Sequence, residues 1–136
     1  MPSSITLTTP DHAALSARVA KLLTVESKNR TSWLRLREEL ERAVILPAEV
    51  VSPLVARIGS TFTVRDLDTG ERDTFTLSWP EQADVDHGRL SVLTPLGTAV
   101  IGYARGDEIV WAMPGGERRL LLEAVDTPVL ETQTAR

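Results

Sequence analysis

The sequence predicts an α+β fold, in which a short N-terminal antiparallel helical hairpin precedes a mostly antiparallel β-sheet domain with one short helix. Three observations carry that expectation. Apolar residues recur at helical steps in two early stretches. Beyond Pro47 the apolar period falls to two, with Gly-containing turns between the runs. Finally, Leu96, Val100 and Ile101 return to helical spacing between Pro95 and Gly102, which interrupts the strands once.

Taken in order, Met1–Ser4 has no pattern and is expected to be disordered, and Ile5–Thr8 alternates as a short extended lead-in. Thr9-Pro10-Asp11 starts a helix: Thr caps, Pro suits the first turn, and Asp favours the positive end of the dipole. Leu15, Val19 and Leu22 form the apolar stripe of a helix over 10–23. The polar run 24–31 is a connection. Thr31 or Ser32 caps a second helix, on which Trp33, Leu36, Leu40 and Ala43 make a coiled-coil-like seam that Pro47 ends. Leu34 lies off this seam as a second contact. Residues 1–46 therefore read as a helical arm, 47–128 as the body and 129–136 as a patternless, mobile tail.

In the body, Phe62–Leu67 is a strand and Asp68–Glu71 a hairpin connection whose Gly70 supplies a positive φ. Phe75, Leu77 and Trp79 then oppose Thr74, Thr76 and Ser78, the mark of a half-buried sheet. Pro80–Gly88 is a polar loop and Leu90–Leu93 a third strand, leading into the short helix that Gly102 stops. In Glu108–Met113 both faces are apolar, which predicts a central strand. Pro114-Gly115-Gly116 turns that strand into the last one, Arg118–Val125.

Composition narrows the functional classes. The chain has 136 residues and no cysteine, so disulfides, thiolate metal sites and a Cys nucleophile are excluded. The lack of cysteine fits a reducing cytoplasm. No basic start precedes an apolar run and no long apolar stretch occurs, so neither an export signal nor a membrane partner is expected. The net charge of −4 argues against direct sequence-specific nucleic-acid binding. Residues 1–46 hold 7 Lys and Arg against 5 Asp and Glu, whereas 47–136 hold 8 against 14, so a mildly basic arm precedes an acidic body.

Candidates for chemistry are few. His12 sits in a first helical turn, where exposure is expected. Asp84, Asp86 and His87 share one loop, but their spacing lacks the Gly and distal Glu of a calcium loop. No nucleophile elbow, P-loop or dinucleotide fingerprint is present. Accordingly, no catalytic residue, metal ligand or cofactor is assigned, and the protein is not expected to be an enzyme.

The order Pro95-x-Gly97-x-Ala99-x-x-Gly102, then Gly106-Asp107, an apolar strand and Pro114-Gly115-Gly116, resembles the C-terminal domain of the bacterial Gre transcript-cleavage factors. The likeness runs over roughly 57–125. With so short an arm the chain also resembles the regulators of nucleoside diphosphate kinase (Rnk), reduced Gre homologues. The resemblance implies a body similar to FK506-binding prolyl isomerases, and Phe62, Phe75, Trp79, Tyr103 and Trp111 are the aromatics available to line such a pocket or to fill the core.

The same resemblance implies docking on RNA polymerase at the rim of its secondary channel, through Thr94, Pro95 and Leu96 by position. Gre factors carry acidic residues at the tip of a long coiled coil, where they help to bind a catalytic magnesium. Here the tip offers Glu26 beside Lys28 and Arg30, a poor magnesium set, on a helix of 14 residues that spans about 21 Å. The implied function is a transcription regulator that binds RNA polymerase without stimulating cleavage and competes with Gre factors. A prolyl isomerase and an active cleavage cofactor are the alternatives.

Overall fold

A computed structural model describes residues 4–113 and 116–127. The expected tail from 129, and Pro114 and Gly115 of the last turn, lie outside the described residues, as do Met1–Ser3 of the expected disordered start.

The chain begins with β1 (Thr6–Thr8) and enters α1 (Thr9–Leu22) directly. The cap is Thr8, one residue earlier than the sequence suggested. Its extended backbone belongs to the strand, and its hydroxyl accepts the Asp11 amide at 3.1 Å. After the connection, α2 (Arg30–Arg42) also starts earlier than Thr31. Its cap position, Asn29, makes no side-chain capping bond. Instead Ser27 Oγ accepts the Asn29 amide, and the Arg30 guanidinium donates to the Leu23 carbonyl at 2.6 Å, closing the turn between the helices.

The second helix stops at Arg42, well before Pro47, because Ala43 is already extended. The freed residues form β2 (Val44–Leu46), which pairs parallel with β1 in the register Thr6↔Val44, Leu7↔Ile45 and Thr8↔Leu46. This small ladder ties the two ends of the hairpin together. The β-branched pair Val44-Ile45 is its only local signal.

Five strands make the main sheet: β3 (Thr61–Asp66), β4 (Arg72–Ser78), β5 (Arg89–Ser91), β6 (Glu108–Met113) and β7 (Gly116–Asp126). The spatial order is β5-β4-β3-β7-β6. All neighbours are antiparallel except β4 and β5, which run parallel. A bulge shifts the β3–β7 register after Thr63. Between β5 and β6 lies α3 (Pro95–Val100), followed by Gly102 at φ +84, as the sequence predicted.

The expectation of a central β6 is overturned: it is an edge strand. Ile109 points into the core, but Val110 faces outward and is 39% exposed. Arg35 of α2 donates to the Val110 carbonyl at 2.9 Å and so covers part of the open edge.

The helical hairpin is antiparallel, with Leu15 and Val19 buried together with Trp33, Leu36 and Leu40. His12, expected to be exposed, is half-buried and donates from Nε2 to the Leu40 carbonyl at 2.8 Å. The hairpin does not stand away from the sheet. Its core is continuous with Phe62, Val64, Leu77, Leu120 and Leu122 through Ile5, Val100 and Ile101. Three bonds fasten α2 to the body: Trp33 Nε1 to the Leu93 carbonyl at 2.9 Å, Tyr103 Oη to Glu39 Oε2 at 2.6 Å, and the Arg35 bond above. The helix thus serves two neighbours by using its apolar seam for α1 and largely polar groups for the body.

Candidate docking site

The segment before α3 is a tightly bonded turn. The Leu93 amide donates to Ser91 Oγ at 3.0 Å, and the Thr94 amide to the Ser91 carbonyl at 3.1 Å. Thr94 Oγ1 donates to the same carbonyl at 2.8 Å and accepts the Gly97 amide at 3.1 Å, capping α3. Pro95 occupies the first turn, where a missing N–H costs nothing. Gly97 lets the helix approach β5: a Cβ there would lie 2.8 Å from Val92 Cα. Thr94, Pro95 and Leu96 are all half-buried.

Two hollows flank this segment. On the Leu96 side, a hollow of about 460 Å³ is floored by Val64, Phe75, Trp111 and Leu120. Its rim carries Asp66, Glu71 and Asp73 against Arg118. Amide bonds from Asp68 and Thr69, with the Arg118 guanidinium at 2.6 Å, hold the Asp66 carboxyl below its ordinary range. On the Thr94 side, a more open groove of about 660 Å³ runs between the hairpin and the body. Trp33 and Leu22 line it from the hairpin, Leu93 and Pro80 from the body. Here Arg18 stacks over Trp79 at 4.6 Å and pairs in two bonds, at 2.9 and 2.7 Å, with Glu81.

The five aromatics do not share one pocket. Phe62 is fully buried, and Tyr103 is buried against Glu39. Trp79 sits beneath Arg18, so only Phe75 and Trp111 line the hollow beside Leu96. Phe62 and Phe75 are in tilted contact at 6.2 Å.

At the far end of the hairpin, Glu26, Lys28 and Arg30 are exposed, with Arg30 committed to the Leu23 carbonyl. None of the three lines the groove beside Thr94, although Asn29, between Lys28 and Arg30, does. In the polar loop, His87 Nδ1 lies 2.6 Å from Asp84 Oδ2, and Arg89 approaches the same oxygen at 3.6 Å. Among the described residues no cluster of His, Asp and Glu could hold a metal ion, and no helix is long and apolar enough to cross a membrane.

Sequence reasoning missed Glu39. It is buried on α2, and desolvation raises its carboxyl pKa, while the Tyr103 hydroxyl and the charges of Arg35 and Arg42 oppose the rise. Burial, followed by the Glu39 carboxylate, pushes the Tyr103 phenol up to about 12. The one available signal was position: Glu39 follows Leu36 by three and so lies beside the seam.

The Thr94–Leu96 segment lies inside a wider match. Residues 52–127 match the family described as Transcription elongation factor, GreA/GreB, C-term. This chain belongs to the GreA/GreB family. Among curated relatives, the transcription elongation factor GreA of Desulfotalea psychrophila is 35% identical over 92 residues, covering 68% of this chain. That match spans 57% of the Desulfotalea protein, so the chain covers little more than half of this relative's length. GreA of Hyphomonas neptunium is 28% identical over 144 residues, covering 84% of this chain and 92% of that protein. A solved GreA/GreB elongation factor from Nitrosomonas europaea, 29% identical, superimposes with a TM-score of 0.72 over 92% of this chain and 99% of that one. The GreA/GreB match begins at residue 52, after the hairpin, and contains both hollows' body walls and the whole Thr94–Leu96 turn.

Proposed function

We propose that this protein is a transcription regulator that docks on RNA polymerase at the entrance of the secondary channel, does not stimulate transcript cleavage, and competes with Gre factors for that position. The observation that carries the reading is the GreA/GreB match over 52–127, with Thr94, Pro95 and Leu96 presented at the start of α3. In the Gre pattern this segment meets the polymerase rim.

Two features of the hairpin support the absence of cleavage. Magnesium is a hard cation that is usually held by one or two carboxylates together with waters and phosphates. The tip supplies Glu26, with Lys28 and Arg30 close by in the chain to compete for it. Reach is limited as well, since the 14 residues of α1 span about 21 Å. Trp33, Arg35 and Glu39 also hold the hairpin against the body rather than along an extended arm.

The test uses stalled elongation complexes with labelled RNA. The protein alone is expected to leave the transcript at full length, and increasing amounts of it should progressively suppress cleavage by an added Gre factor. Replacing Thr94 and Pro95 together should weaken that suppression more than replacing Glu26. Shortened transcripts with the protein alone would refute the inert tip. Undiminished Gre cleavage at saturating protein would refute shared docking.

A further inference from the structure

We propose that the hollow on the sheet face beside Leu96 binds a small organic cation, an ammonium group carried on an aromatic or aliphatic body. Binding of this kind needs no polymerase and is independent of the reading above.

One face of the main sheet builds the hollow. Strand residues alternate between faces, and the register puts Val64, Asp66, Asp73, Phe75, Trp111 and Leu120 on the same side. Its volume of about 460 Å³ falls within the range of small-molecule sites, about 300–1,000 Å³. Four strands contribute, so the site sits on the rigid sheet rather than on a loop. Phe62, fully buried, packs against Phe75 with ring centroids 6.2 Å apart, which sets that aromatic wall before any ligand arrives. The Trp111 indole Nε1 is buried and has no hydrogen-bond partner, so no group among the described residues engages the polar edge of this second ring.

Charge on this face selects a cation. The opposite face of the same strands carries matched charges: Arg65 and Arg72, cross-strand partners on β3 and β4, approach Glu123 at 3.7 and 2.6 Å. The hollow keeps the surplus acids. Asp66 is already engaged, since its Oδ1 accepts the Asp68 and Thr69 amides and its Oδ2 the Arg118 guanidinium. Arg118 is the one cation among the lining residues, whereas Glu71 and Asp73 form no ion pair among the described residues. An anion would meet those two carboxylates unopposed. A hard metal ion is not served either: no group of His, Asp and Glu among the described residues could hold one, and much of the lining is apolar. An ammonium on an organic body satisfies both parts of the site. Its charge is met by Glu71 and Asp73 at the rim, and its body covers Val64 and Leu120. The faces of Phe75 and Trp111 attract a cation that comes within about 6 Å of the ring.

The experiment titrates the isotope-labelled full chain with phenethylammonium, phenethyl alcohol and phenylacetate, which share one shape and are cationic, neutral and anionic. The readout is the indole N–H resonance of Trp111, assigned by its loss in Trp111→Phe. The indoles of Trp33, bonded to the Leu93 carbonyl, and Trp79, beneath Arg18, serve as internal controls. Phenethylammonium is expected to shift the Trp111 signal saturably, with a Kd on the order of 1 mM. The alcohol should bind about fivefold more weakly or worse, and phenylacetate more weakly still. Glu71→Gln combined with Asp73→Asn, both at exposed positions, should weaken the cation to the level of the alcohol and leave the alcohol unchanged. Asp86→Asn removes one charge from the polar loop, outside the hollow, and should change nothing. Equal affinity for the cation and the alcohol, or full cation binding by the double variant, would overturn the proposal. So would a response confined to Trp33 or Trp79, or no saturable shift by about 20 mM, a concentration well above the expected Kd.

Discussion

At the scale of single residues, Glu39 links the two halves of the molecule at an energetic cost. Its side chain is buried, one oxygen accepts the Tyr103 hydroxyl, and the other has no hydrogen-bond partner. A buried carboxylate with an unmatched oxygen disfavours its own ionised form, and desolvation accordingly raises its pKa. The sign of the pH effect follows. A carboxyl whose folded pKa is raised binds its proton more tightly in the folded state. It therefore costs nothing below its ordinary 4.5 and destabilises progressively as pH rises from there through the folded pKa. Glu39→Gln keeps an acceptor for Tyr103 and removes the charge. It should match the native protein near pH 4 and exceed it in melting temperature at neutral pH, by an amount that grows as pH rises above 4.5. Melting curves across that range test this, and a gap that closes with rising pH would contradict it. None of this was legible in the sequence, because Glu39 and Tyr103 are 64 residues apart and nothing local marks either as the other's partner.

At the scale of elements, α3 shows what the glycines of the Pro-x-Gly-x-Ala-x-x-Gly run do. Gly102 adopts φ +84, a conformation that side chains strain to reach, and its missing Cβ also leaves room for Ile5 of the lead-in. Gly97 has ordinary helical geometry and is needed for a different reason: backbone of Ser91 and Val92 occupies the space a Cβ would fill. Backbone cannot swing aside as a side chain can. Gly97→Ala should therefore push α3 off β5 and lower stability by about 1–3 kcal/mol, as overpacking does. It should also disturb the Thr94 cap, whose hydroxyl accepts the Gly97 amide. Urea unfolding measures the first effect, and an unchanged midpoint would show that the contact relaxes freely. The sequence indicated a turn at Gly102 by its place after an apolar helical run. It gave no reason for Gly97, which only the folding of α3 back onto the end of the strand just before it explains.

At the scale of the whole molecule, the hairpin and the sheet share one core. Leu40 is 4% exposed and lies among Leu15, Val19 and Leu36 in a cluster that continues to Phe62 and Leu122. Leu40→Ala should cost about 2–5 kcal/mol, the range for a large buried side chain cut back to a methyl group. Because the core is continuous, the variant should still unfold in one step, with helical signal and tryptophan fluorescence changing together. An early loss of helix that leaves the sheet intact would show that the hairpin is an independent unit.

The sequence by itself determined the local periods. Helical stripes, alternating strands, capping residues and glycine turns are each decided within a few residues, by sterics and by which face must leave water. For that reason the α+β class, both long helices, the strand positions of the main sheet and the short helix between Pro95 and Gly102 could be read directly, and the motif order indicated the family. Tertiary structure decided what those periods could not reach. It set β6 at the edge, because strand order is decided by which strands meet in space, and there Arg35 of α2 bonds the open Val110 carbonyl while the Val110 side chain stays partly in water. It paired Val44–Leu46 with the lead-in, since strand partners are chosen by which ends the hairpin brings together. It also laid the hairpin on the body and so created the groove beside Thr94, because α2 carries one surface for α1 and another, built from the Trp33 indole, Arg35 and Glu39, whose partners lie about 60 to 75 residues away along the chain.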